Sequence, residues 1–278
     1  VDPFGFAPEP KLYCQTRAHR DVLAALRSAV LEGRGAAALL GQAGMGKTTL
    51  VQVLAGSLGR QCDFVHLSGR SRDPAEAVRA VLGALGIDGE GAGGEGKRLE
   101  RALVRRTLSG RRAAVVVDNA QELDGEALGH LIALGEPALG ERRLLTVIVA
   151  GRPGLLERLS GPAGGKIGVY CRLTPMDGEE TRAYVLHRLR LAGCAPGAFT
   201  PAALDLVSLY ARGIPLNVNM LCRHSLSLAS SIGLGAVDER IVEDSAYDLV
   251  LRSSALRPWD GGAEEAARSR PHLYLVKS

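Results

Sequence analysis

Aromatic residues make up only 4% of the sequence, which leaves little material for stacking single-stranded nucleic acid or sugar rings. No apolar run approaches the roughly 18 residues that a membrane helix requires. The longest, Leu144 to Ala150, has the length of a strand. The cysteines at 14, 62, 171, 194 and 222 are widely spaced and form no C-x-x-C pair. That spacing argues against a disulfide or zinc framework and suits reduced, mostly buried thiols. The start, Val1-Asp2-Pro3-Phe4, has neither the basic residues nor the apolar stretch of a signal peptide. These absences set the expectation of a soluble, cytoplasmic chain with no membrane span. Net charge is also small: +4 permits contact with nucleic acid or an anionic surface without arguing for either.

What is present points to one place. Gly41-Gln42-Ala43-Gly44-Met45-Gly46-Lys47-Thr48-Thr49 follows the apolar run Ala36 to Leu40 and precedes the apolar-periodic run Leu50 to Leu58. Strand, glycine loop and helix in that order form a phosphate-binding loop. Glycines let successive backbone N–H groups curl around an anion, and the new helix points its positive end at the same place. Lys47 is expected to reach the β- and γ-phosphates of ATP, and the Thr48 hydroxyl to ligate Mg²⁺.

With 278 residues and 46% apolar content, the chain can build one large core or a core with a smaller partner. A Pro- and aromatic-rich lead-in over residues 1–15 is expected to lie on the core, ahead of a helix from Arg17 to Glu32. Further strands are expected at Asp63–Leu67, Ala113–Val117, Leu144–Ala150 and Val169–Leu173, with helices between them. Short continuous apolar strands alternating with helices predict an α/β fold: a parallel sheet sandwiched by helices. Beyond Pro175 the pattern becomes helical only, at about 179–191, 201–211, 215–231 and 238–251. The expected division is a lead-in and helix at 1–32, a nucleotide-binding α/β core at 33–174, a small all-α lid at 175–252, and a loosely ordered tail at 253–278. The glycine-dense stretch Gly86 to Gly96 reads as a mobile surface loop.

The second half of the site is expected at Asp118, directly after the apolar Ala113 to Val117. A carboxylate there costs free energy unless it has a role, and holding Mg²⁺ together with Thr48 is such a role. The bland alternative is a helix cap. The next residue, Asn119, can orient a water but cannot take its proton. Glu122 is a conceivable substitute, though three residues further on it is expected to face solvent. Arg152, after the strand ending at Ala150, either acts as a sensor of the γ-phosphate or points to solvent. The clusters Arg101/Arg105/Arg106, Arg111-Arg112 and Arg142-Arg143 form a basic patch on one reading and ordinary solvated faces on the other.

With these residues in place, the chain resembles the AAA+ ATPases of the ExeA/GspA-like secretion type, relatives of the ORC/Cdc6-like and TniB/TnsC-like P-loop ATPases. The resemblance rests on Pro3-Phe4-Gly5-Phe6, Ala18-His19-Arg20, the P-loop, Asp118-Asn119-Ala120-Gln121, Ala150-Gly151-Arg152-Pro153, Tyr184 to Leu189, and Gly213-Ile214-Pro215-Leu216-Asn217-Val218-Asn219. It implies AAA+ architecture, binding of ATP and Mg²⁺, and a homo-oligomer formed on ATP binding. It also implies a role in a secretion or polysaccharide-export system, or alternatively a DNA-associated role in transposition or replication initiation. Four positions depart from the family's pattern. Asn119 stands at the catalytic glutamate, Arg152 at a sensor glutamine, Lys166 at a candidate arginine finger and Leu216 at a sensor arginine. Tight binding with slow turnover is the expectation.

Overall fold

A computed structural model describes residues 2–5, 13–68, 74–87, 94–161, 164–252 and 274–275. The expected tail lies outside these residues apart from 274–275, as do parts of the lead-in and of the 86–96 loop. The chain forms two compact units. One comprises Ala18–Ala43, Leu50–Leu173 and Pro271–Ser278, and the other Val1–Arg17, Gly44–Thr49 and Thr174–Arg270.

Along the α/β part the elements are α1 (Arg17–Glu32), β1 (Ala36–Leu40), α2 (Lys47–Leu58), β2 (Cys62–Ser68), α3 (Pro74–Ala84), α4 (Gly94–Leu108) and β3 (Arg112–Asp118). After them come α5 (Gly125–Ala133), β4 (Ala138–Leu139), β5 (Arg142–Arg143), β6 (Thr146–Gly151), α6 (Leu155–Arg158) and β7 (Ile167–Arg172). Five strands form a parallel sheet in the order β2-β3-β6-β1-β7, and β8 (Tyr274–Leu275) pairs antiparallel with β7. Every residue of β1, β3 and β6 is buried, as continuous apolar strands require when helices cover both faces.

The register aligns Ala38 with Val149 and Val117 with Val149 across β1, β6 and β3. Alternation then sends Ala36, Ala38, Val115, Val117, Val147 and Val149 to one face. There they pack with Leu82 of α3, Leu103 of α4 and Leu128 of α5. Each such leucine contributes about 1.5–3 kcal/mol through burial. Ala114, Val116 and Asp118 alternate to the opposite face. The hairpin β4–β5 was not legible as strands: its four residues are exposed, so no apolar pattern marks them.

The arginine clusters do not form one patch. Asp63 pairs with both Arg106, at 2.7 Å, and Arg111. Arg112 is buried, and its guanidinium donates to the carbonyls of Val30 (3.2 Å) and Arg143 (2.9 Å). A cation on the last turn of α1 offsets the negative end of that helix. Desolvation, with Arg142 close by, lowers the Arg112 pKa from its ordinary value. Gly33 adjoins it with φ +68°, and a Cβ there would lie 2.8 Å from the backbone Arg143 O, so the position favours glycine.

The helical unit contains α7 (Gly178–Leu191), α8 (Pro201–Ala211), α9 (Pro215–Ser231) and α10 (Glu239–Arg252). Asp177 and Thr200 cap α7 and α8 by accepting the N–H groups of Glu180 and Ala203. Proline opens α8 and α9, where its missing N–H costs nothing. Gly213 has φ +65°, and a Cβ on it would lie 2.0 Å from Met176 O, so the turn between α8 and α9 needs glycine. Val185, Val207, Val218, Leu221 and Val242 form the core of this unit.

The lead-in departs from expectation. Phe4, fully buried, belongs to the helical cluster rather than to the α/β core. Arg188 Nε donates to Pro3 O at 2.5 Å, and Asp2 Oδ1 accepts the Phe4 N–H at 2.9 Å. Arg188 also donates to Tyr184 OH (3.0 Å), and that hydroxyl donates to Asn219 Oδ1 (2.9 Å). The physical cause is that Phe4 has an apolar cluster to enter and Pro3 has a donor waiting for its carbonyl. No helix among the described residues is long and apolar enough to cross a membrane.

Candidate nucleotide-binding site

β1 gives way at Leu40 to the loop beginning at Gly41, whose N–H donates to Gly151 O at 3.1 Å. Gly44 and Gly46 both have φ +80°, a conformation open to glycine and costly for other side chains. Lys47 is the first residue of α2 and Thr48 the second, so both sit at the positive end of that helix. Met45 and Lys47 are buried, whereas Gln42, Gly44, Gly46, Thr48 and Thr49 are half-buried and Ala43 is exposed. The segment is thus a glycine-dependent turn running directly into a helix N-terminus.

Asp118 ends β3 and is only 7% exposed. The register sets the carboxyl ends of β3, β6 and β1 along one edge of the sheet. Asp118 does not cap a helix; α5 is capped by Asp124, which accepts the Ala127 N–H at 2.7 Å. Asp118 Oδ1 instead accepts the N–H of Asn119 at 2.9 Å, and Oδ2 lies 3.8 Å from His66 Nε2. Asn119 is exposed and left-handed, with φ 56° and ψ 39°. Glu122 closes a short 3-10 turn, Ala120–Glu122, and is exposed. Arg152 follows β6, is exposed, and donates its backbone N–H to Gln121 Oε1 at 3.2 Å.

Two neighbours of these residues were not singled out from the sequence. His66 precedes the end of β2 by two residues, in register with Val116, and so shares the Asp118 face. Only the sheet order, which strand lengths do not reveal, would have placed it there. Gln121 lies within the Asp118-Asn119-Ala120-Gln121 motif, which by itself assigns it no role. Of the other departures, Lys166 Nζ lies 2.6 Å from Glu136 Oε1 in the α/β unit. Leu216, in the helical unit, donates its backbone N–H to Gly44 O of that unit at 3.2 Å. All five cysteines are free thiols. Burial pushes Cys62 and Cys171 up to about 12 and raises Cys14 and Cys222.

The AAA domain family profile matches residues 30–159. General secretion pathway protein A of Aeromonas hydrophila is 28% identical over 256 residues, which cover 89% of this chain and 46% of that protein. The chain therefore spans less than half the length of this relative. Among solved structures, the Aeropyrum pernix ORC2 protein in its ADPNP–ADP complexes superposes with a TM-score of 0.65 at 18% identity, covering 88% of this chain and 70% of that one. Drosophila ORC bound to DNA gives 0.67 at 18% identity, over 91% and 65%. Residues 30–159 thus carry an AAA domain, and the chain is similar to general secretion pathway protein A over most of its length and shares the ORC/Cdc6 fold.

Proposed function

We propose that this chain holds ATP with Mg²⁺ and works as a nucleotide-dependent assembly or regulatory switch with slow hydrolysis. The residues fit the group. Positive-φ glycines shape the loop, Lys47 heads α2 as a buried cation, and the Thr48 hydroxyl and Asp118 carboxylate are oxygen donors of the type Mg²⁺ takes. When bound, Mg²⁺ supplies charge neutralisation at the phosphates. Lys47 would bind and orient the phosphates, Asp118 would hold the ion, and Asn119 would orient a water without removing its proton.

The observation that carries this reading is Asn119. The residue after the buried carboxylate has no basic oxygen, and its backbone N–H is committed to Asp118. Loss of a general base typically costs about a hundred-fold or more in rate. The similarity to general secretion pathway protein A supports a role at a secretion system; a cytoplasmic location, a polysaccharide-export role and a homo-oligomer formed on ATP binding belong to the same proposal. Nucleotide binding and sedimentation with and without ATP test it. Tight binding of ATP with a shift to a larger species supports the switch, and absence of both overturns it.

The alternative, a DNA-associated ATPase, draws on the likeness to ORC proteins. The commitment of Arg106 and Arg111 to Asp63 and the burial of Arg112 weaken its electrostatic basis. Binding to duplex DNA that falls steeply with salt would favour it.

A further inference from the structure

Gln121 sits in the turn after Asn119, and its side chain crosses to the end of β6. Its Oε1 accepts the Arg152 N–H at 3.2 Å, and its Nε2 donates to Asn119 Oδ1 at 3.4 Å. Because a backbone N–H is only a donor, the amide must present its oxygen to Arg152, so its orientation is fixed. The Gln121 carbonyl is held in turn by Arg158 Nη1 at 2.6 Å. Gly151 makes room for this side chain: a Cβ there would lie 2.7 Å from Gln121 Oε1 and 2.7 Å from Leu155 Cδ2. The carbonyl of the same Gly151 accepts the N–H of Gly41. One polar chain thus runs from the residue after Asp118, through Gln121, to the Gly151-Arg152 turn and the root of the phosphate loop. All of it lies within the α/β unit.

We propose that Gln121 is a positioning residue that couples the Asn119 turn to the Gly151-Arg152 turn, so that the two respond together to the terminal phosphate of the nucleotide. The coupling rests on the nucleotide-binding reading above. It acts through Arg152 and Asn119, not by touching the nucleotide. Its signature is therefore discrimination between ATP and ADP, not affinity for the phosphates that the loop itself holds.

The test measures the affinities of ATP and ADP, each with Mg²⁺, for the wild type and for Gln121→Met, Gln121→Glu and Gly151→Ala. Gln121→Met keeps length and removes both side-chain hydrogen bonds. Gln121→Glu keeps an acceptor for Arg152. Gly151→Ala pushes the amide away from the opposite side. Loss of one or two such bonds is expected to lower the preference for ATP over ADP about three- to ten-fold in Gln121→Met and Gly151→Ala. ADP affinity should stay at its wild-type value and Gln121→Glu should recover most of the preference. Unchanged preference in Gln121→Met overturns the coupling alone, as does a wild type that binds both nucleotides equally. A wild type that binds neither overturns the nucleotide reading and the coupling with it.

Discussion

Asp118 Oδ1 accepts the backbone N–H of Asn119 at 2.9 Å, and Asn119 makes that bond from a left-handed conformation with φ 56°. Asparagine tolerates this region better than longer acidic side chains do. Asn119→Glu should therefore cost about 1 kcal/mol or more of stability through backbone strain. By supplying a base it should also raise ATP turnover about ten-fold or more. Phosphate release, read beside thermal unfolding, checks both directions.

Lys47 is the buried cation at the head of α2. Lys47→Ala should abolish nucleotide binding, because it removes the cation proposed to bind the phosphates. Titration with a fluorescent ATP analogue, with circular dichroism as the control, measures it.

The helical unit depends on a buried phenol. Tyr184→Phe leaves Asn219 Oδ1 and one Arg188 donor without their partner and should cost about 1–3 kcal/mol. Burial raises the Tyr184 pKa, with Arg188 opposing. A folded pKa above the unfolded value gives stability that is complete below about pH 10 and is lost as pH rises beyond it. Denaturant melts from pH 8 to 11 should show that loss, and the loss should be smaller in Tyr184→Phe.

Phe4 gives a separate check on the lead-in. Phe4→Ala empties a fully buried position in the helical cluster and should cost about 3–5 kcal/mol. Deleting residues 1–5 should destabilise the protein comparably, as read by chemical denaturation.

Thiol labelling tests the packing. Cys62, Cys171 and Cys222 are buried, and burial raises each thiol's pKa, so at neutral pH they are neither ionised nor reachable. Native protein should label only at Cys14 and Cys194, the more slowly at Cys14, whose thiol is also raised. In denaturant all five should label.

Much of the α/β layout was legible because continuous apolar runs such as Ala36 to Leu40 and Ala113 to Val117 admit little but buried parallel strands. The glycine loop was legible because its φ values exclude other residues. The destination of Phe4 was not, since a five-residue segment carries no period to say which apolar cluster will take it. Nor was the proximity of His66 to Asp118, which needs β2 to pair with β3. The reach of Gln121 across to Arg152 was hidden for a similar reason: it depends on β3 and β6 being neighbours. The choice between one basic patch and separate faces was not legible for the arginines, because sequence shows charge but not partners, and Asp63 lies 43 positions from Arg106.

The central claim is that the chain binds ATP far better than it cleaves it. Steady-state phosphate release at saturating ATP and Mg²⁺, on protein shown to bind ATP, measures this directly. The expected turnover is about a hundred-fold below a working ATPase rate of roughly one per second. Turnover at or above about one per second would contradict it.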